Sequence, residues 1–122
     1  ERQGEAVASI TLDRMTALVE ALLGNGSARM FSSRTADGSP GSVAVYAFDA
    51  RRAYYLFGAS DPALRNTATG TAILRDAFTA LAATGVTQVD LEGVNSPRRG
   101  WFKLSFGGDL RPYYQVSKGI AA

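Results

Sequence analysis

Two stretches of the chain combine residue types at a spacing that suits chemistry. In Asn95-Ser96-Pro97-Arg98-Arg99-Gly100-Trp101-Phe102-Lys103-Leu104-Ser105-Phe106-Gly107-Gly108, aromatics, one lysine and three glycines crowd into a segment that follows an apolar strand signal. That mixture suits a site better than a core. In Thr67-Ala68-Thr69-Gly70-Thr71-Ala72, small residues stand at the entrance to a helix, where backbone N–H groups can approach a pyrophosphate and the helix dipole favours its charge. The same residues also suit a plain helix cap. The chain has no Cys and no His. Thiolate zinc sites, cysteine nucleophiles and histidine acid-base catalysis are therefore excluded within it, and Lys, Tyr, Asp, Glu, Ser, Thr or backbone N–H groups must do any chemistry.

The bulk properties frame these stretches. A length of 122 residues, 46% hydrophobic and 20% charged, fits one ordinary globular domain. No window reaches the roughly 18 unbroken apolar residues of a membrane span, and Glu1-Arg2-Gln3-Gly4-Glu5 has no signal-peptide pattern. A cytoplasmic location is the expectation. Residues 1–94 carry 8 basic and 10 acidic side chains, whereas residues 95–122 carry 5 and 1. The positive end suits either a phosphate-bearing partner or a solvated rim.

The elements that must position these stretches follow from periodicity. Leu12, Met15, Val19, Leu22 and Leu23 form one stripe from Ser9 onward, which predicts a core-packing helix ended by Gly24-Asn25-Gly26. Strands are expected over Arg29–Thr35, Gly41–Asp49 and Ala53–Ala59, joined by the Asp37-Gly38 turn and by Asp49-Ala50-Arg51-Arg52. They form an antiparallel meander. A helix from Gly70 with Ile73, Leu74, Ala77, Phe78 and Leu81 on one face stops at Thr84-Gly85. The strand Val86–Glu92 then completes a βαβ unit with the third strand, which requires parallel pairing. A short helical segment and a last strand, Leu110–Ser117, close the chain. The fold class is α+β, a mixed sheet with an antiparallel meander followed by a βαβ unit in a single domain over residues 11–118. A flexible segment (1–10) precedes it and a tail (119–122) follows.

A meander strand, a Gly-containing loop, a helix and a parallel strand, in that order, resemble the GNAT acyltransferases. The phosphate loop of that family reads Gln or Arg, two residues, Gly, one residue, then Gly or Ala. Gly70 and Ala72 match its last two positions, Thr67 stands where Gln or Arg is expected, and Arg65 lies near enough to supply a substitute charge. More narrowly, Ala53–Ser60 with Pro62, Val89–Asn95, Phe102–Gly108 and Pro112-Tyr113-Tyr114 look like the GNAT-like domain of the Fem-type aminoacyltransferases, over about Ala28 to Tyr114. These enzymes move an amino acid from aminoacyl-tRNA to a lipid- or nucleotide-linked peptidoglycan precursor.

The resemblance implies roles. Lys103 would stabilise a tetrahedral oxyanion, a term that usually dominates acyl transfer. Backbone groups of Leu56 and Phe57 would hold the donor's pantetheine or carbonyl. Asn95, with Arg98 and Arg99, would border the donor phosphates. Tyr54 and Tyr55 point to opposite faces of their strand, and Tyr55 is the candidate for the cleft. Asp90 and Glu92 share one strand face, where Glu92 either orders the water that accepts the amine's proton or pairs with Arg98 or Arg99. Trp101 stacks on a base or, more simply, buries its ring.

The function expected is transfer of an acyl or aminoacyl group from acyl-coenzyme A or aminoacyl-tRNA to an amine, on a small molecule or a lipid-linked precursor, with no metal. The alternative is a silent donor-binding module, or half of a twin-domain enzyme completed by a second GNAT-like domain or a second copy.

Overall fold

The computed structural model describes residues 9–119, apart from the side chains of Arg65 and Asn66. Most of the two end segments assigned from sequence, 1–8 and 120–122, lies outside the described residues. The elements are α1 (Ser9–Gly24), β1 (Ala28–Arg34), β2 (Pro40–Phe48), β3 (Arg52–Ser60), a 3-10 helix (Pro62–Thr67), α2 (Thr69–Ala82), β4 (Gln88–Asp90) and α3 (Pro97–Leu104). They divide between two compact units, Glu1–Glu92 and Gly93–Ala122.

The first unit holds a four-stranded mixed sheet in the order β1-β2-β3-β4. The turns that produce it are local. Gly38 takes a left-handed φ of 89°, and the Asp37 carboxylate accepts from Thr35 Oγ1 and the Ser39 N–H, which holds its pKa down at about 2. Asp49 accepts from the N–H groups of Arg51 and Arg52 at 2.8 and 2.7 Å, closing the second hairpin as an aspartate turn does. β1 and β3 each pair antiparallel with β2, and β4 pairs parallel with β3, the consequence of the α2 crossover.

α2 covers one face of this sheet with Ile73, Leu74, Ala77 and Leu81, all buried, above Ala44, Tyr46 and Ala53. Tyr46 is fully buried and forms edge-on contacts with Phe31, Tyr55 and Phe78 at centroid distances of 5.9, 5.5 and 6.5 Å. Its hydroxyl lacks a hydrogen-bond partner, and burial pushes the phenol's pKa well above the tyrosine range, with Tyr55 adding to the effect. An unsatisfied buried hydroxyl costs about 1–3 kcal/mol. Tyr46→Phe keeps the ring contacts and removes that cost, so the variant is expected to be more stable by about 1 kcal/mol in urea unfolding.

Three expectations about the elements need correction. α1 forms where expected, but none of its residues is buried: Met15, Val19 and Leu22 are half-buried, while Ile10, Leu12, Leu18 and Leu23 stay exposed. Its main contact is with the edge strand β1, which is too narrow to cover the whole stripe. The fourth strand shrinks from Val86–Glu92 to Gln88–Asp90, because Glu92 adopts a left-handed φ of 64° and donates its N–H to Asp90 Oδ1 at 2.7 Å. Asp90 and Glu92 therefore do not share a strand face. The stretch Leu110–Ser117 contains no strand; Leu110, Tyr113, Tyr114 and Val116 are exposed there.

The second unit is built on α3. Gly100 is buried, and a Cβ on it would lie 2.6 Å from the Val94 carbonyl oxygen, so only glycine lets the helix approach the preceding loop. Phe102 and Phe106 meet edge to face at 5.3 Å. Trp101, expected to bury its ring, is 75% exposed. No helix among the described residues is long and apolar enough to cross a membrane.

Candidate active site

The carboxyl end of β3 is where the sheet opens. Parallel pairing runs through Arg52↔Gln88, Ala53↔Val89 and Tyr54↔Asp90 and ends there, although β3 continues to Ser60. Beyond Tyr55, from Leu56 onward, the edge of β3 that faced β4 has no partner strand among the described residues. Its backbone N–H and C=O groups are left to bind something else. The opposite edge carries a bulge: Val45 pairs with Phe57 and Tyr46 with Tyr55, so Leu56 is the extra residue. A bulge bends its strand and redirects the groups beside it. The sequence-derived positions Leu56 and Phe57 thus fall at the irregular, half-open part of the strand.

Tyr55 sits on the α2 side of β3. Its ring packs against Tyr46, and its hydroxyl oxygen lies 1.7 Å from where a Gly58 Cβ would be. Gly58 is glycine because the phenol runs forward along the strand over it.

After β3 the chain turns through the 3-10 helix, capped by Asp61, whose carboxylate accepts from the Ala63 N–H at 2.9 Å. Arg65 lies on this turn. The turn ends at Ala68 in the left-handed region, φ 58° and ψ 22°, and α2 starts directly after it. Ala68 offers no side-chain cap, and no acidic residue stands in the first turn of α2. The first helical hydrogen bond is Ala72 N–H to Ala68 O at 3.0 Å, so the N–H groups of Gly70 and Thr71 have no helical acceptor. An uncapped helix start that carries only small and hydroxyl side chains is a receptive place for an anion. The left-handed alanine is strained by about 1 kcal/mol relative to glycine. Ala68→Gly is therefore expected to raise the melting temperature by a few degrees, and a loss of stability would show that the turn is not held in that conformation.

The other sequence-derived residues are Glu92, Asn95 and Lys103. Glu92 follows β4, exposed. Lys103 lies in the last turn of α3, half-buried, and its ammonium donates to Gly93 O at 2.9 Å. It thereby ties the helix to the loop ahead of it. Asn95 Nδ2 donates to Tyr113 Oη at 3.3 Å, a contact within the second unit. No cluster of Asp and Glu among the described residues could hold a metal ion.

A concavity of about 860 Å³ lies at the opposite end of β3 and β4, lined by Asp49, Ala50, Arg51, Arg52, Tyr54, Thr87 and Gln88. The Arg52 guanidinium there is held by Gln88 Oε1 at 2.7 and 3.1 Å. It shares nothing with the open edge of β3 beyond Tyr54.

A mixed sheet whose one parallel pair, β3 with β4, separates beside a bulge, at the foot of an uncapped helix, defines an α+β domain of GNAT type. The chain belongs to the GNAT acetyltransferase family, whose acetyltransferase (GNAT) domain model matches residues 2–103. Solved structures share the fold at low identity. A putative acetyl transferase from Pyrococcus furiosus superposes with a TM-score of 0.73 at 18% identity, covering 97% of this chain and 83% of that one. A predicted acetyltransferase with acetyl-CoA from Clostridium acetobutylicum gives 0.73 at 14% identity, over 93% and 78%. The aminoglycoside 6'-N-acetyltransferase AAC(6')-IG from Acinetobacter haemolyticus gives 0.70 at 12%, over 97% and 85%. No curated protein matches the sequence.

Proposed function

We propose that this chain is an N-acetyltransferase that takes an acetyl group from acetyl-CoA and delivers it to a primary amine. The observation that carries the reading is the end of β3–β4 pairing at Tyr54↔Asp90, which frees strand backbone for the pantetheine arm one loop away from the uncapped start of α2. In this reading Leu56 and Phe57 hold the donor's amide and carbonyl groups, and the N–H groups of Gly70 and Thr71 receive the pyrophosphate beside Ala72, with Arg65 adding charge. Membership of the family and the acetyl-CoA held by the Clostridium acetobutylicum relative favour this donor.

The chemistry needs no metal. The amine nitrogen attacks the thioester carbonyl carbon, the C–N bond forms, and the C=O electron pair moves to oxygen. Collapse restores the carbonyl, breaks the C–S bond and releases the thiolate. The amine's proton passes to water ordered by Glu92, and the phenol of Tyr55 supplies the thiolate's proton. Holding the two reactants in line accounts for much of the rate. The acceptor class is a small-molecule amine, as the name of the Acinetobacter haemolyticus relative indicates for that protein.

The finer version suggested by the Fem-type resemblance uses aminoacyl-tRNA and a peptidoglycan precursor, with Lys103 at the oxyanion and Asn95 near the donor. Thiol release from acetyl-CoA, measured with a panel of primary amines beside a charged-tRNA arm, separates the two. Amine-dependent release of coenzyme A supports the acetyltransferase. Transfer from tRNA alone favours the second version, and binding of neither donor contradicts both.

A further inference from the structure

Ser42 is the one buried polar residue in the core of the described chain, 6% exposed, and it stands at the foot of α2 rather than among the chemistry-bearing groups. Its Oγ lies 2.7 Å from Ser60 Oγ and 2.8 Å from Thr69 Oγ1. Its N–H donates to Ser33 Oγ at 3.0 Å. Ser60 is the last residue of β3 and Thr69 the first of α2, so one hydroxyl joins the two ends of the loop Asp61–Ala68. A hydroxyl can donate once and accept from another, which lets Ser42 serve both partners at once. The neighbouring Gly41 adds two further ties: its carbonyl accepts from the Asp61 N–H at 2.8 Å, and Thr69 Cγ2 lies 2.7 Å from where its Cβ would be.

We infer that Gly41 and Ser42 form a clamp that sets the position of the first turn of α2 against the end of β3, and that Ser42, Ser60 and Thr69 are positioning residues for the donor's pyrophosphate. The inference rests on the acetyl-CoA reading above. The loop needs such a clamp because the helix start has no side-chain cap and its N–H groups bind an anion well only when held still. The effect is specific to the phosphate part of the donor, since pantetheine would lie along β3 and not on the loop.

Titration calorimetry of the full chain with acetyl-CoA and with S-acetyl-pantetheine, which lacks the pyrophosphate, tests this. Wild type is expected to prefer acetyl-CoA. Ser42→Ala and Thr69→Val are each expected to weaken acetyl-CoA about tenfold, to leave S-acetyl-pantetheine unchanged, and Thr69→Ser to restore the wild-type affinity. Circular dichroism checks folding, and Thr69→Val, which keeps the side-chain volume, carries the test if Ser42→Ala fails to fold. A wild type with no preference between the two donors overturns the pyrophosphate reading and this inference together. A wild-type preference that Thr69→Val retains, or an equal loss for both donors, overturns the clamp alone.

Discussion

Thr71→Asp is expected to weaken acetyl-CoA binding at least about 100-fold while leaving the protein as stable as before or slightly more so. The opposed signs follow from one position. Thr71 is exposed in the first turn of α2, which carries no acid and no side-chain cap. A carboxylate there interacts favourably with the helix dipole, worth about 0.3–1 kcal/mol. It also puts negative charge at the place proposed for the pyrophosphate, and like-charge juxtaposition costs several kcal/mol. Calorimetry for affinity and thermal unfolding for stability measure the two effects separately. Parallel loss of both would mean that the substitution damaged the fold; retained affinity would remove the pyrophosphate from this helix start.

The second large effect is structural. Gly58→Ala places a methyl group 1.7 Å from the Tyr55 hydroxyl oxygen and 2.6 Å from its Cζ, so the ring must leave its position against Tyr46. Overpacking of this kind costs about 1–3 kcal/mol. Because Leu56 and Phe57 lie between the two residues, donor affinity falls as well. A double-mutant cycle isolates the cause: in a Tyr55→Ala background the same glycine substitution should cost less than about 0.5 kcal/mol. Equal costs in both backgrounds would place the strain elsewhere.

Much of the architecture is legible in the sequence because its causes are local. Asp37-Gly38 and Asp49 specify their turns through φ and carboxylate hydrogen bonds. The apolar face of α2 is written at helical spacing, and the βαβ order requires the parallel pairing of β3 with β4. What the sequence does not disclose depends on distant residues. The bulge at Leu56 exists only in the register between β2 and β3, and the Ser42, Ser60 and Thr69 hydroxyls converge from three separate elements. The apparent strand at Leu110–Ser117 has suitable residues, but strand formation needs a neighbour's hydrogen bonds as well as propensity. Lys103 stood out by composition. The structure gives its ammonium a task within its own unit, at the Gly93 carbonyl, while the candidate donor-binding features of the first unit lie at β3 and α2. Gly70 and Ala72, read from the loop pattern, fall at the uncapped helix start, and the hydroxyl clamp beneath it has no motif that would have disclosed it.

In the proposed function, β3 beyond Tyr54 and the first turn of α2 together bind acetyl-CoA. Titrating acetyl-CoA into ¹⁵N-labelled protein and following backbone amide shifts tests it most directly. The largest changes are expected on Leu56, Phe57, Gly70, Thr71 and Ala72, with little effect at Arg51, Arg52 and Gln88 in the concavity at the other end of the strands. Changes confined to that concavity, or no changes at saturating acetyl-CoA, would contradict it.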